Sequence, residues 1–171
     1  QDIPIYSEEL SFRNSYEFNK YFEIADNIVT SLTFYSAAIT ALDSGQDVRI
    51  SERLYIPPRK LRGFQSGRIG PVDSKDHVGG NYAATLNFNT DLPILANLQD
   101  TDVKYFFDAA NLWGADFRND DGASSKIRAS TGIGVDWYTP IGPLNFSISQ
   151  VLQSKSTDLE ESFRFNIGTT F

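Results

Sequence analysis

The sequence has no cysteine, a single histidine and no long apolar run. The missing cysteine excludes disulfides, zinc–thiolate sites and thiol catalysis, and leaves the redox compartment open. No stretch of about 18 apolar residues occurs, so no transmembrane helix is present. Fifteen Lys and Arg stand against 22 Asp and Glu, a net charge of -7, and a general nucleic-acid binder would need a basic face instead. A Ser–His catalytic pair would have to use His77, and no G-x-S-x-G elbow exists, so His77 reads as a surface loop residue. Asp116, Asp120 and Asp121 beside Gly122 miss the spacing of a calcium loop and read as a polar extracellular turn. Gly132-x-Gly134 lacks a third glycine and a following helix, so it implies no dinucleotide site. The basic run Arg59-Lys60-Leu61-Arg62 is too short and isolated for nucleic acid. No enzyme, metal or cofactor is expected.

What remains is a chain of 171 residues, 40% hydrophobic and 22% charged, which reads as one domain over residues 1–171 and is neither disordered nor low-complexity. Transmembrane strands need only about 9–11 residues each, with every second one apolar, so a mean hydropathy of -0.31 permits a membrane barrel. The dominant period is two. It runs through Leu10–Phe18, resumes after the turn Asp26-Asn27 over about Ile28–Leu42, and returns at Tyr82–Asn89 until Pro93 stops it. Further strands are expected over about Val103–Trp113, Ile127–Tyr138, Leu144–Leu152 and Ser162–Phe171. Thr139-Pro140-Ile141-Gly142-Pro143 makes a tight turn. Residues 43–80 carry no clear period and form a long loop, of the kind that is usually functional or disordered.

The expected fold is therefore all-β, an antiparallel up-and-down meander of about seven strands. Short connections (26–27, 139–143) alternate with longer ones (43–80, 115–125, 153–160), as periplasmic turns and extracellular loops do in outer-membrane barrels. The 90–102 connection is longer than that pattern wants. A soluble β-sandwich used for binding also alternates apolar and polar residues. Two features favour the barrel: aromatics near strand ends (Trp137, Tyr138, Phe171) and polar faces rich in Ser, Thr, Asn and Gly, suited to a wet lumen.

Two motifs narrow this further. In the last strand, Phe163, Phe165, Ile167 and Phe171 share one face and the chain stops on the aromatic, which looks like the β-signal of outer-membrane barrels. Leu61-Arg62-Gly63-Phe64, followed by Gly70-Pro71 and Gly79-Gly80-Asn81, resembles the sixth extracellular loop of the BamA family of outer-membrane barrel-assembly proteins. The run Phe106–Gly114 and the run Gly132–Leu144 resemble that family's next strands. The resemblance covers about Leu54–Phe171.

It implies the C-terminal part of a sixteen-stranded transmembrane barrel in the bacterial outer membrane, with POTRA domains upstream. It also implies a non-enzymatic insertase that helps nascent outer-membrane proteins fold and insert, aided by accessory lipoproteins bound through those upstream domains. Related barrels serve as two-partner secretion pores or are fused to hydrolases. The loop is implied to fold back into the lumen, where Arg62 meets Asp108. The family's glutamate corresponds to Asn87, a neutral partner. Tyr55–Lys60 replaces the family's glycine pair, so the loop enters by a different path. The last strand is implied to form one lip of a lateral seam that templates client strands. No signal peptide precedes Gln1, and the chain is expected to be a portion of a longer protein. Taken alone, it would close its open edges by self-association or rearrangement.

Overall fold

A computed structural model describes residues 10–26, 28–42, 45–93, 100–115, 125–140 and 142–167. The segments of period two all form strands: β1 (Ser11–Ala25), β2 (Ile28–Ala41), β5 (Tyr82–Asp91), β6 (Thr101–Trp113), β7 (Arg128–Thr139), β8 (Gly142–Gln153) and β9 (Phe163–Ile167). Two short strands, β3 (Val72–Asp73) and β4 (Asp76–His77), pair within the long loop. The seven long strands make one sheet in the order β1-β2-β5-β6-β7-β8-β9, every neighbour antiparallel. This is the meander expected from the sequence. The described strands do not close on themselves, and closure into sixteen strands lies beyond them.

The register sorts side chains onto two faces, because successive residues of a strand point opposite ways. One face carries Tyr16, Phe18, Phe22, Phe34, Leu86, Tyr105, Ile133, Trp137, Ile148, Phe163, Phe165 and Ile167, all exposed. A sandwich would bury such a face under a second sheet, and no second layer covers it among the described residues. So wide an apolar surface is compatible with lipid and not with water. Aromatics mark both ends of the wall: Trp137 and Tyr138 lie beside the short turn, and Tyr82 stacks on Trp113 at the opposite, loop-bearing end with centroids 5.7 Å apart. Amphipathic rings favour such interfacial positions.

The inner face is divided. Near the loop it is apolar, with Ala37, Ile39, Ala83, Ala110 and Leu112 buried beneath the loop's Val48, Leu54, Ile56, Leu61, Phe64 and Ile69. The stretch that lacked a period thus supplies half of the hydrophobic core. A fully buried Leu, Ile or Phe contributes about 1.5–3 kcal/mol, so this loop is packed in place. Ser11 donates to Glu52 at 2.7 Å, and Lys60 pairs with Glu17 at 2.6 Å, which fixes the loop to β1 as well. Further along the strands the inner face turns polar. There Asn19, Ser31, Thr33, Asn89, Asp136, Asn145 and Asn166 line an open recess of about 640 Å³.

His77 lies in the long loop, as expected from the sequence, and there it makes a contact that the sequence did not show. It sits half-buried in β4, with Nε2 3.1 Å from the Thr157 carbonyl. Folding the loop inward brings β4 against the β8–β9 connection, which sequence spacing does not reveal. Asp116, Asp120, Asp121 and Gly122, and residues 94–99 of the 90–102 connection, lie outside the described residues.

Candidate functional site

Where the apolar and polar halves of the inner face meet, the loop presents Leu61-Arg62-Gly63-Phe64. Leu61 and Phe64 are buried in the core and anchor the segment at both ends. Gly63 has φ +89°, a conformation that strains any residue with a Cβ. A Cβ there would also lie 3.1 Å from Ser130 Cβ and 3.3 Å from Ser149 Cβ. Glycine lets the backbone turn flat against β7 and β8, and Ser130 Oγ donates to the Arg62 carbonyl.

That turn aims Arg62 across the sheet at β6. Its Nε donates to Asp108 Oδ2 at 2.7 Å and its Nη2 to Oδ1 at 2.8 Å, a bidentate fork. The Arg62 backbone N–H donates to the same carboxylate at 3.1 Å. The guanidinium lies 3.6 Å above the Phe106 ring centroid, two residues back on the same strand face. Gly132, paired with Phe106, leaves room for that ring, since a Cβ would approach Phe106 Cζ to 2.7 Å. Gly132 and Gly134, which fit no nucleotide motif, instead form the floor under Phe106 and Arg62.

Asn87 does not sit on Arg62 as the sequence suggested. Its amide donates to Asp108 Oδ1 at 2.8 Å and to the Lys60 carbonyl at 2.8 Å. The remaining guanidinium bond goes to Asn89 Oδ1 at 2.7 Å. The reason is register: Asn87 stands directly opposite Asp108, while Asn89 lies one inward position further along, beneath the fork. Asn89 has the same parity as Asn87, but the sequence expectation named only Asn87. Only the height of the loop decides between them.

On β9, Phe163, Phe165 and Ile167 face outward, and Phe165 stacks on Phe146 of β8 with centroids 4.8 Å apart. Phe171 lies outside the described residues. An ion pair with no motif behind it closes the loop end of the wall. Arg128 donates from Nε to Asp158 Oδ2 at 2.9 Å and from Nη2 to Oδ1 at 3.0 Å, and Lys155 N–H donates to Oδ2 at 2.6 Å. It ties the β8–β9 connection to the head of β7.

A model of the Omp85 superfamily domain matches residues 3–171. This chain belongs to the Omp85 superfamily. Similar Omp85 proteins include the outer membrane protein assembly factors BamA of Neorickettsia risticii, 27% identical over 132 residues, and of Nitratidesulfovibrio vulgaris, 30% identical over 180 residues. These alignments cover 75% and 98% of this chain but 18% and 21% of the relatives, so the chain spans about a fifth of their length. A solved structure of BamA from Haemophilus ducreyi lacking POTRA domains 1–3 superposes with a TM-score of 0.78 at 23% identity, over 91% of this chain and 34% of the other. That likeness is one of fold. As an Omp85 domain with an unpartnered apolar outer face, the sheet is a stretch of barrel wall in the bacterial outer membrane.

Proposed function

We propose that this Omp85 wall segment serves the assembly of outer-membrane proteins, as part of a barrel that helps client β-barrel proteins fold and enter the bilayer. The observation that carries the reading is the seat of Arg62 on Asp108, which packs a long loop inside the wall. A barrel that must keep one wall ready to part gains a brace for the rest. Clients would be recognised through their strands, by backbone pairing at a sheet edge, and accessory lipoproteins would bind outside this segment. The work is done by templating and bilayer perturbation, with no bond made or broken.

The test is complementation of BamA depletion by a full-length protein carrying this segment. Arg62→Ala should abolish rescue while the variant accumulates in the outer membrane at the parent level. Full rescue by that variant would remove the loop from the mechanism.

A further inference from the structure

Arg164 faces inward from β9, between the lipid-facing Phe163 and Phe165. Its fork is spent on the loop. Nη1 donates to the Pro58 carbonyl at 2.7 Å, Nη2 donates to the Phe64 carbonyl, and Nε donates to Glu161 Oε2 at 2.8 Å. Pro58 and Phe64 bracket Arg62 in the chain, so the loop's motif is held from β6 on one side and from β9 on the other.

The backbone makes the same connection. Gln65 N–H donates to the Leu159 carbonyl and Glu161 N–H to the Gly63 carbonyl, both at 2.9 Å, and Leu159 N–H donates to Arg68 at 3.1 Å. Phe64 pairs with Glu160 across this contact. The loop therefore acts as a short extra strand against the approach to β9. β9 pairs with β8 from Leu144–Ile167 to Ile148–Phe163, and Ser149 N–H donates to the Ser162 carbonyl at 2.8 Å, so the loop's contact with 159–161 continues directly from the β8–β9 ladder.

We propose that Arg164 is a positioning residue that latches β9 to the seated loop, so that unseating Arg62 loosens β9 and freeing β9 unseats Arg62. This deepens the function proposed above, and rests on it only for what a loosened β9 would do, namely offer its edge to a client strand. The coupling is reciprocal by thermodynamic necessity. It also needs a guanidinium. A lysine is a point charge on a flexible stem and cannot hold two carbonyls and a carboxylate in one plane.

The test is amide hydrogen exchange on the full-length protein in nanodiscs without client. Arg62→Ala should speed exchange along Phe163–Ile167 on the order of tenfold, although the Arg62 N–H groups described above donate to Asp108 and Asn89 and not to β9, while β1 and β2 keep their protection. Arg164→Ala should speed exchange in β9 and at Arg62 alike, and Arg164→Lys should not restore either. Should Arg62→Ala fail to fold, Asn89→Ala removes one bond of the Arg62 guanidinium beside the fork and should give a smaller change in the same amides. Unchanged β9 exchange when the Arg62 amide itself is freed overturns the latch, as does full restoration by Arg164→Lys. Client assembly measured on the same variants separates the two claims. Coupled exchange in a protein that assembles no client would overturn the functional reading and leave the latch standing.

Discussion

Two Arg–Asp forks hold loops onto this wall, and they differ in water. In the Arg62–Asp108 pair the carboxylate side chain is fully buried, while the arginine is 18% exposed to the recess. In the Arg128–Asp158 pair the side chains are 1% and 0% exposed. Identical chemistry thus serves two ends. The dry pair has no solvent to replace a lost partner, so it works as a permanent rivet between β7 and the β8–β9 connection. The wet pair borders about 640 Å³ of open space, and water can take over its bonds as the loop lifts. A contact meant to be made and remade belongs at the second kind of site.

The largest test of this contrast is Asp158→Ala. It leaves the Arg128 charge buried without its partner and should cost about 3–5 kcal/mol, read as a drop in the urea midpoint of the folded protein. Arg62→Ala should cost less, because the Asp108 carboxylate it leaves keeps the Asn87 amide as a donor and the neighbouring recess gives water access to the vacated site. The rivet account adds a second demand. Replacing both members, Arg128→Met with Asp158→Leu, should recover most of the loss, since an apolar pair of similar volume needs no desolvation. A double variant as unstable as Asp158→Ala would show that the pair does more than fill dry space.

The wet seat is tested through its backbone. Gly63→Ala places a Cβ at φ +89° and against Ser130 and Ser149. It should cost about 1–2 kcal/mol from the left-handed conformation alone, and should loosen the Arg62 fork without touching the Arg128 rivet. Hydrogen exchange at the Arg62 amide, which donates to Asp108, reads the first effect, and exchange at Lys155, which donates to Asp158, reads the second. Equal acceleration at both would mean that the two forks form one unit.

The strands were legible from their alternation, and the wet seat from the family resemblance that the loop motif carries. Alternation in β5 and β6 put Asp108 on the polar side, and Leu61-Arg62-Gly63-Phe64 is contiguous. What the sequence could not show depends on loop height and on contacts between distant segments. Asn87 and Asn89 are equivalent until the loop's depth is known. Arg128 and Asp158 lie 30 residues apart, each in an unremarkable polar context, and only the inward fold of the β8–β9 connection joins them. The loop's Val48, Leu54, Ile56 and Ile69 are spaced for no regular element, so their shared burial had no periodic trace.

The smallest test bears on the ground beside the rivet. His77 Nε2 faces a carbonyl, which can only accept, so Nε2 carries the proton. Its Nδ1 is buried without a partner among the described residues. Burial is the main cause that holds its pKa below the ordinary 6.5, and the charges of Arg68 and Arg128 push the same way, against the Thr157 carbonyl and Asp158. With the folded value depressed, the unfolded chain takes up a proton first as pH falls through about 6.5. Stability is therefore full above that value, declines below it, and levels off once the folded form is also protonated. The effect should be shallow, because the ring is only half-buried, and it should appear as a small acid-side fall in the urea midpoint that His77→Gln removes. If the fall persists in that variant, the titrating group lies elsewhere, and the dry end of the wall is not the pH-sensitive one.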